Sequence, residues 1–394
     1  MNNLIYINYY FYDKNKFLIL MGVCESSSTT NQKNKKVTAS LSSLGDYSTE
    51  GNSKNKSNKK NSKSSIKTKD GFILPENLAK RDDINKYYNI TQKVLGEGAS
   101  GVVCIGERNG AQYAIKKIIK NKIKALKPFI LEAEISLQLK HENIITYYEI
   151  YEDSEYISYV MDLGEGGDLF DFIVGCPLGH LPADIVIDLL IQIFQVVDYL
   201  HTEKGIVHRD LKPENFMIKI NMFNKPQIKL IDFGFATYIP KNGEKIKEYL
   251  GTREYAAPEI LEEAGYREKV DEWAIGVIMY NMLTGYEPFK GNTPSQIKDS
   301  VLFATIKFEK IEDNDLRELN EKLLNRFVSK RITCKEALYE IKKIKVERDN
   351  YYKGFKRLSK KTPSVILRKE RGETEEYMSY WENMTVNVRN NFQI

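Results

Sequence analysis

Residues 208–234 constrain this chain more than any other stretch. His208-Arg209-Asp210-Leu211-Lys212-Pro213-Glu214-Asn215 opens it and Asp232-Phe233-Gly234 closes it. The opening places a carboxylate, a lysine and an amide on one tight loop. A second carboxylate returns after two short apolar runs separated by a turn over 221–226, which reads as a hairpin. Carboxylate and amide oxygens are hard donors, the kind Mg²⁺ takes together with phosphate groups. The bland alternative is a polar turn between two core strands.

HRDLKPEN followed by DFG resembles the catalytic loop and metal-binding loop of eukaryotic protein kinases. The resemblance covers residues 88–340 and implies an α+β, two-lobed protein kinase fold. Its small, mainly β lobe would occupy 88–161 and its large, mainly α lobe 165–340, with 71–87 a flanking segment. In that fold Asp210 positions the attacking hydroxyl and accepts its proton, and Lys212 steadies the transferred phosphoryl group. Asn215 and Asp232 hold Mg²⁺. His208 tempts assignment as a general base, but in this motif it is a packing residue under the loop.

Other segments fall in the order the resemblance requires. Gly96-x-Gly98-x-x-Gly101 is a weak signal alone, since dinucleotide sites also carry it. Here Val103 and then Tyr113-Ala114-Ile115-Lys116 follow on strands, whereas a dinucleotide fold would open a helix at once. Glycines let backbone N–H groups approach phosphates, and Lys116 would neutralise them. A helix over 129–140 offers Glu132 and Glu134 as the anion for Lys116; spacing to His141 in similar kinases selects Glu132. Met161 would limit access behind the adenine of ATP. Asp162 and Gly164 would offer backbone groups to it, and Ala114 belongs to the same pocket. Asp168 would reach the ribose and, with Glu214, basic residues upstream of the target hydroxyl.

Gly251-Thr252-Arg253-Glu254-Tyr255-Ala256-Ala257-Pro258-Glu259 resembles the segment that docks the protein substrate. Thr252, with Lys212 inside HRDLKPEN, is the Ser/Thr-specific form. Asn281 stands where kinases preferring paired arginines carry a second acid. Asp271 would anchor the catalytic loop, and Arg331 would pair with Glu259. Arg209 would take an anion from the activation segment, where 241–248 has no hydroxyl, and Glu244 or Glu248 would supply the charge permanently. Intact Lys116, Asp210, Asn215 and Asp232 favour an enzyme over a nucleotide-binding scaffold.

Glu165-Gly166-Gly167-Asp168-Leu169-Phe170-Asp171 and the stretch Glu244-Lys245-Ile246-Lys247-Glu248-Tyr249-Leu250-Gly251-Thr252 resemble, within kinases, the calcium/calmodulin-dependent group, notably the calcium-dependent kinases of protists and plants. The chain departs from them in one respect: no D-x-[DN]-x-[DN]-G run with a closing glutamate occurs, so direct calcium control is not expected.

Charge is unevenly spread. Residues 22–70 hold ten lysines against four acids, and 341–394 hold thirteen basic residues against seven acids. The whole chain is only +5, so the body between the tails is acidic. That argues against a dedicated nucleic-acid binder, whose basic stripe should lie on the folded domain. Residues 25–70, rich in Ser, Asn, Thr and Lys, lack the apolar content to fold, and with the Tyr/Ile/Leu-rich first twenty residues, split by Asp13, Lys14 and Lys16, residues 1–70 read as a disordered basic arm. Phe72–Leu78 reads as a flap lying against the domain. Met21-Gly22-Val23-Cys24-Glu25-Ser26 fits the N-myristoylation pattern if translation starts at Met21. Cys24 beside it suits a second acyl chain, and the following lysines suit an anionic inner leaflet. The expected location is cytoplasmic, anchored at the cytoplasmic face of a membrane. The basic tail 341–394 carries Ile341, Ile344, Tyr352, Phe355 and Leu358. They fit anchors for the kinase body or for a calmodulin-like partner, and a solvated basic helix is a third reading. Four scattered cysteines, Cys24, Cys104, Cys176 and Cys334, show no metal-ligand spacing and fit a reducing compartment.

Overall fold

The computed structural model describes residues 73–98, 101–123, 126–164, 166–220 and 225–359. The basic arm with its lipidation candidates Gly22 and Cys24, the tip of the 221–226 turn and the tail beyond Ser359 lie outside the described residues. So do the side chains of Tyr352, Phe355 and Leu358.

The small lobe is an antiparallel sheet of β1 (Asn89–Gly98), β2 (Gly101–Arg108), β3 (Ala111–Ile119), β4 (Tyr147–Glu152) and β5 (Tyr156–Asp162). Its order is β1-β2-β3-β5-β4. One helix, α1 (Leu126–Gln138), crosses between β3 and β4. It starts three residues before the expected Phe129, because Pro128 falls in its first turn, where a missing N–H costs nothing. Register puts Val103 opposite Lys116 and Ala114 opposite Met161, so the residues expected to line a nucleotide cleft lie side by side.

The large lobe contains α2 (Leu169–Val174), α3 (Ala183–Asp198), α4 (Pro258–Leu261), α5 (Lys269–Thr284), α6 (Pro294–Phe303), α7 (Asn314–Leu323) and α8 (Cys334–Ser359). Short strands β6 (Ile206–Val207), β7 (Phe216–Ile220), β8 (Pro226–Leu230) and β9 (Thr237–Tyr238) pair as β6 with β9 and β7 with β8. The β7–β8 register, Phe216 opposite Leu230 and Ile220 opposite Pro226, is the expected hairpin.

Helix α3 is buried almost all round, from Val186 to Val197. Two polar residues that interrupt its apolar run, Asp188 and Gln192, have partners. Gln192 accepts from the Ile228 N–H and donates to the Pro226 carbonyl, both at 3.0 Å, which ties β8 to the helix. Asp188 pairs with Lys345 of α8. Helix α8 passes residue 340 without a break: Ile341 is fully buried and Ile344 packs against the core. These two apolar residues of the tail are therefore spent on the body. Arg348 adds contacts to Asp184 at 3.3 Å and to Asp313.

Among the described residues no helix is long and apolar enough to cross a membrane. Cys104, Cys176 and Cys334 are buried free thiols.

Candidate active site

The catalytic loop hangs from α5. The backbone N–H groups of His208 and Arg209 donate to the two oxygens of Asp271 at 2.8 and 2.9 Å. His201 donates to the same carboxylate at 2.8 Å. Burial alone would lower the imidazole pKa, but the charge of Glu272 and the bonds to both acids push it up to about 10. Asp271 is thus neutralised where it is fully buried. His208 is 1% exposed, its ring 5.4 Å from that of Phe233, in a packing position rather than a reactive one.

Asp210 lies at the loop's centre. One carboxylate oxygen accepts from the Thr252 hydroxyl at 2.7 Å and the Thr252 N–H at 2.8 Å. The other lies 3.1 Å from Lys212 Nζ, which also donates to the Thr252 hydroxyl at 3.0 Å. The Asn215 amide donates to the Asp210 carbonyl at 2.8 Å. This closure depends on Gly251, whose φ is 98° and where a Cβ would stand 2.4 Å from the Arg209 carbonyl oxygen. Only glycine lets the segment that begins at residue 251 come so near the loop.

Across the cleft, Lys116 Nζ lies 3.3 Å from Glu132 on α1, while Glu134 is exposed. Burial raises the Glu132 pKa, Lys116 opposes that shift, and the nearby charge of Asp232 adds to it. Lys116, Glu132 and Asp232 therefore form one electrostatic group. Asp232 itself accepts from the Gly234 N–H at 2.9 Å. At Gly101, a Cβ would meet the Lys117 carbonyl oxygen at 1.9 Å, so β2 and β3 close tightly beneath the glycine loop. Gly96 and Gly98 run along β1, with Gly98 paired to Gly101.

Val103, Ala114 and Met161 are buried together in the main core. Asp162 turns its side chain away from the cleft, accepting from Tyr148 at 2.6 Å, Thr146 N–H at 3.1 Å and Lys229 at 3.2 Å. Burial would raise its pKa, but these partners hold it below the usual carboxylate range. Asp168 caps α2 by accepting from the Asp171 N–H at 2.8 Å. Burial, with the charges of Asp171 and Glu214 adding to it, pushes its carboxyl up to about 6.

The sequence reading missed two features here. Met217 packs under Gly164, where a Cβ would be 2.2 Å from its terminal methyl. Its only sequence signal was an apolar residue two positions after Asn215. Glu254 and Glu287 join Glu214 around Tyr255, whose hydroxyl is pushed well up by burial and these three charges. Asn281 lies against the same hydroxyl at 3.4 Å. Nothing local marks Glu287; the turn at Gly285 (φ 69°) brings it back beside Asn281.

Comparison with known proteins agrees with this geometry. The protein kinase domain family matches residues 88–340. Calcium-dependent protein kinase 5 of Plasmodium falciparum (isolate 3D7) is 37% identical over 268 residues, 66% of this chain and 46% of that protein. Calcium-dependent protein kinase 14 of Arabidopsis thaliana is 35% identical over 267 residues, 65% of this chain and 49% of the relative. Death-associated protein kinase 2 of Homo sapiens is 35% identical over 271 residues, 66% of this chain and 72% of the relative. The chain spans about half the length of the calcium-dependent kinases it matches. With the two lobes, the loop held by Asp271 and the match over 88–340, the chain belongs to the protein kinase family.

Proposed function

We propose that this chain is a protein serine/threonine kinase that moves the γ-phosphoryl group of ATP to hydroxyls in basic protein segments. The convergence of Thr252 and Lys212 on Asp210 carries this reading. A hydroxyl is bonded to the carboxylate at 2.7 Å, within reach for a base that orients an alcohol and takes its proton. Lys212 sits beside it as a fixed cation for the charge that develops on the moving phosphoryl group.

The donor set fits Mg²⁺. Asp232 offers a carboxylate, and Asn215 commits an amide N–H to Asp210, leaving its carbonyl oxygen as a hard ligand. When bound, the metal supplies neutralisation of phosphate charge. Lys116, held by Glu132, supports the same end of the nucleotide, and the Ala114–Met161 pair with Met217 forms an apolar slot for a flat ring.

Asp168, Glu214, Glu254 and Glu287 give the substrate face its sign. Buried Glu214 Oε2 has no hydrogen-bond partner among the described residues. Charge-assisted bonds to an upstream guanidinium favour R-x-x-S/T acceptors. The test is a peptide library with Ser, Thr and Tyr acceptors, given Mg-ATP and the full chain. Ser/Thr transfer with upstream Arg supports the reading; an acidic or proline-directed consensus, or a Tyr acceptor, contradicts it.

A further inference from the structure

The family match begins at residue 88, yet the fold begins earlier. Pro75 starts a turn in which the Leu78 and Ala79 N–H groups donate to its carbonyl at 2.9 and 3.3 Å. That turn places Leu74 and Ala79 inside, at 1% and 7% exposure, and leaves Glu76 and Asn77 in water. Lys80 then forms a one-residue parallel bridge along β4. Its N–H donates to the Ile150 carbonyl at 2.8 Å and its carbonyl accepts from Glu152 at 2.9 Å. β4 is the edge strand next to α1, so the bridge takes up groups an edge leaves unpaired. The Leu74 N–H donates to one oxygen of Glu152 at 2.9 Å, and Lys120 holds the other at 2.8 Å.

This segment reaches α1 as well as β4. Leu74 and Ala79 belong to the same core as Phe129 and Ala133 of α1. Leu78 and Ala79 share the walls of an open cavity of about 520 Å³ with Leu137 of α1 and Ile150 of β4. α1 carries Glu132, and its 3.3 Å approach to Lys116 depends on where the helix stands. We infer that residues 74–80 brace α1 against β4 and so hold Glu132 on Lys116, making the Leu74 side chain and the Lys80 backbone, not the Lys80 side chain, positioning groups for phosphoryl transfer. The inference rests on the proposed role of the Lys116–Glu132 pair.

The test uses the full chain. Lys80→Pro removes the N–H that bonds Ile150, whereas Lys80→Ala keeps both backbone bonds and loses the side chain's contacts with Glu149 and the Tyr151 ring. Lys80→Pro is expected to lower kcat about tenfold with little change in peptide KM, the size of one or two lost hydrogen bonds felt at the transition state. Amide exchange should quicken across α1, and Lys80→Ala should match the parent. A synthetic peptide of residues 73–82 at millimolar concentration should restore part of the lost kcat, which a generally loosened fold would not allow. Leu74→Ala provides a second variant with the same expected pattern. Parent kcat in both variants, or a loss of kcat with unchanged exchange in α1, overturns the brace. Glu132→Gln is run beside them: full activity there would remove the underlying role of the ion pair, whatever the brace does.

Discussion

The guanidinium of Arg209 donates to the carboxylate of Glu248 at 2.9 Å, joining the loop of Asp210 to the segment that follows Gly234 through a carboxylate rather than a phosphate. Arg209 is held from a second side by its bond to the Phe235 carbonyl at 2.6 Å, and its own φ of 71° shows the loop bent to present it. Of the two glutamates the sequence offered, Glu248 makes this contact, while Glu244 uses its backbone carbonyl to accept from Arg267.

Activity should therefore not require activation-segment phosphorylation. Protein made in bacteria and treated with phosphatase should keep its kcat. Because Glu248 is largely exposed, with 68% of its side chain accessible, Glu248→Gln should cost only a few-fold in kcat, about 1 kcal/mol or less. Kinetics of the two preparations and the variant check this; loss of all activity after phosphatase contradicts it.

Recognition of basic substrates should weaken in mild acid. Asp168 titrates near 6 because burial and two neighbouring acids disfavour its charge. Its carboxylate is present above that value and is lost as pH falls through it. KM for an R-x-x-S peptide should rise below about pH 6, and more steeply than for a peptide lacking the arginine. Asp168→Asn should have a high KM that is flat over the same range. Peptide KM measured from pH 5 to 8 decides.

Arg331 and Glu259 make a fully buried two-pronged pair at 2.7 and 3.0 Å, with the Arg331 guanidinium 5.1 Å over Trp273. Removing one partner leaves an uncompensated charge in the core. Arg331→Met should destabilise the protein by about 3–5 kcal/mol. Urea unfolding measures it, and a loss below about 1 kcal/mol would show that the pair is dispensable.

The residues gathered around Asp210 were legible because their chemistry and sterics are written locally. Asp210, Lys212 and Asn215 lie within one loop, and Gly251 is demanded by a clash with a single carbonyl. What was not legible depends on distant packing. Phe72–Leu78 read as a flap against the domain, but that Leu74 within it and Ala79 beyond it become core is decided only by their fit beside β4 and α1. Ile341 and Ile344 read equally well as anchors for the body or for a partner, and packing of α8 on α3 decided for the body. Glu287 joins Glu214 and Glu254 around Tyr255 through the turn at Gly285, which composition does not reveal. Asp162 was read for its backbone groups; its side chain accepts from Tyr148, Lys229 and the Thr146 N–H, and that of Asp168 from the Asp171 N–H, uses that residue type alone does not disclose.

The most direct measurement is phosphoryl transfer by Asp210→Asn. The full chain and the variant are given Mg-ATP and a basic Ser peptide, with nucleotide binding and thermal midpoint followed alongside. Loss of the group that orients and deprotonates the hydroxyl should lower kcat by about 10²–10⁴-fold. Nucleotide affinity and folding should stay close to the parent, since Lys116, Glu132 and Asp232 are untouched. Transfer at the parent rate by Asp210→Asn would contradict the assignment of this loop as the catalytic centre.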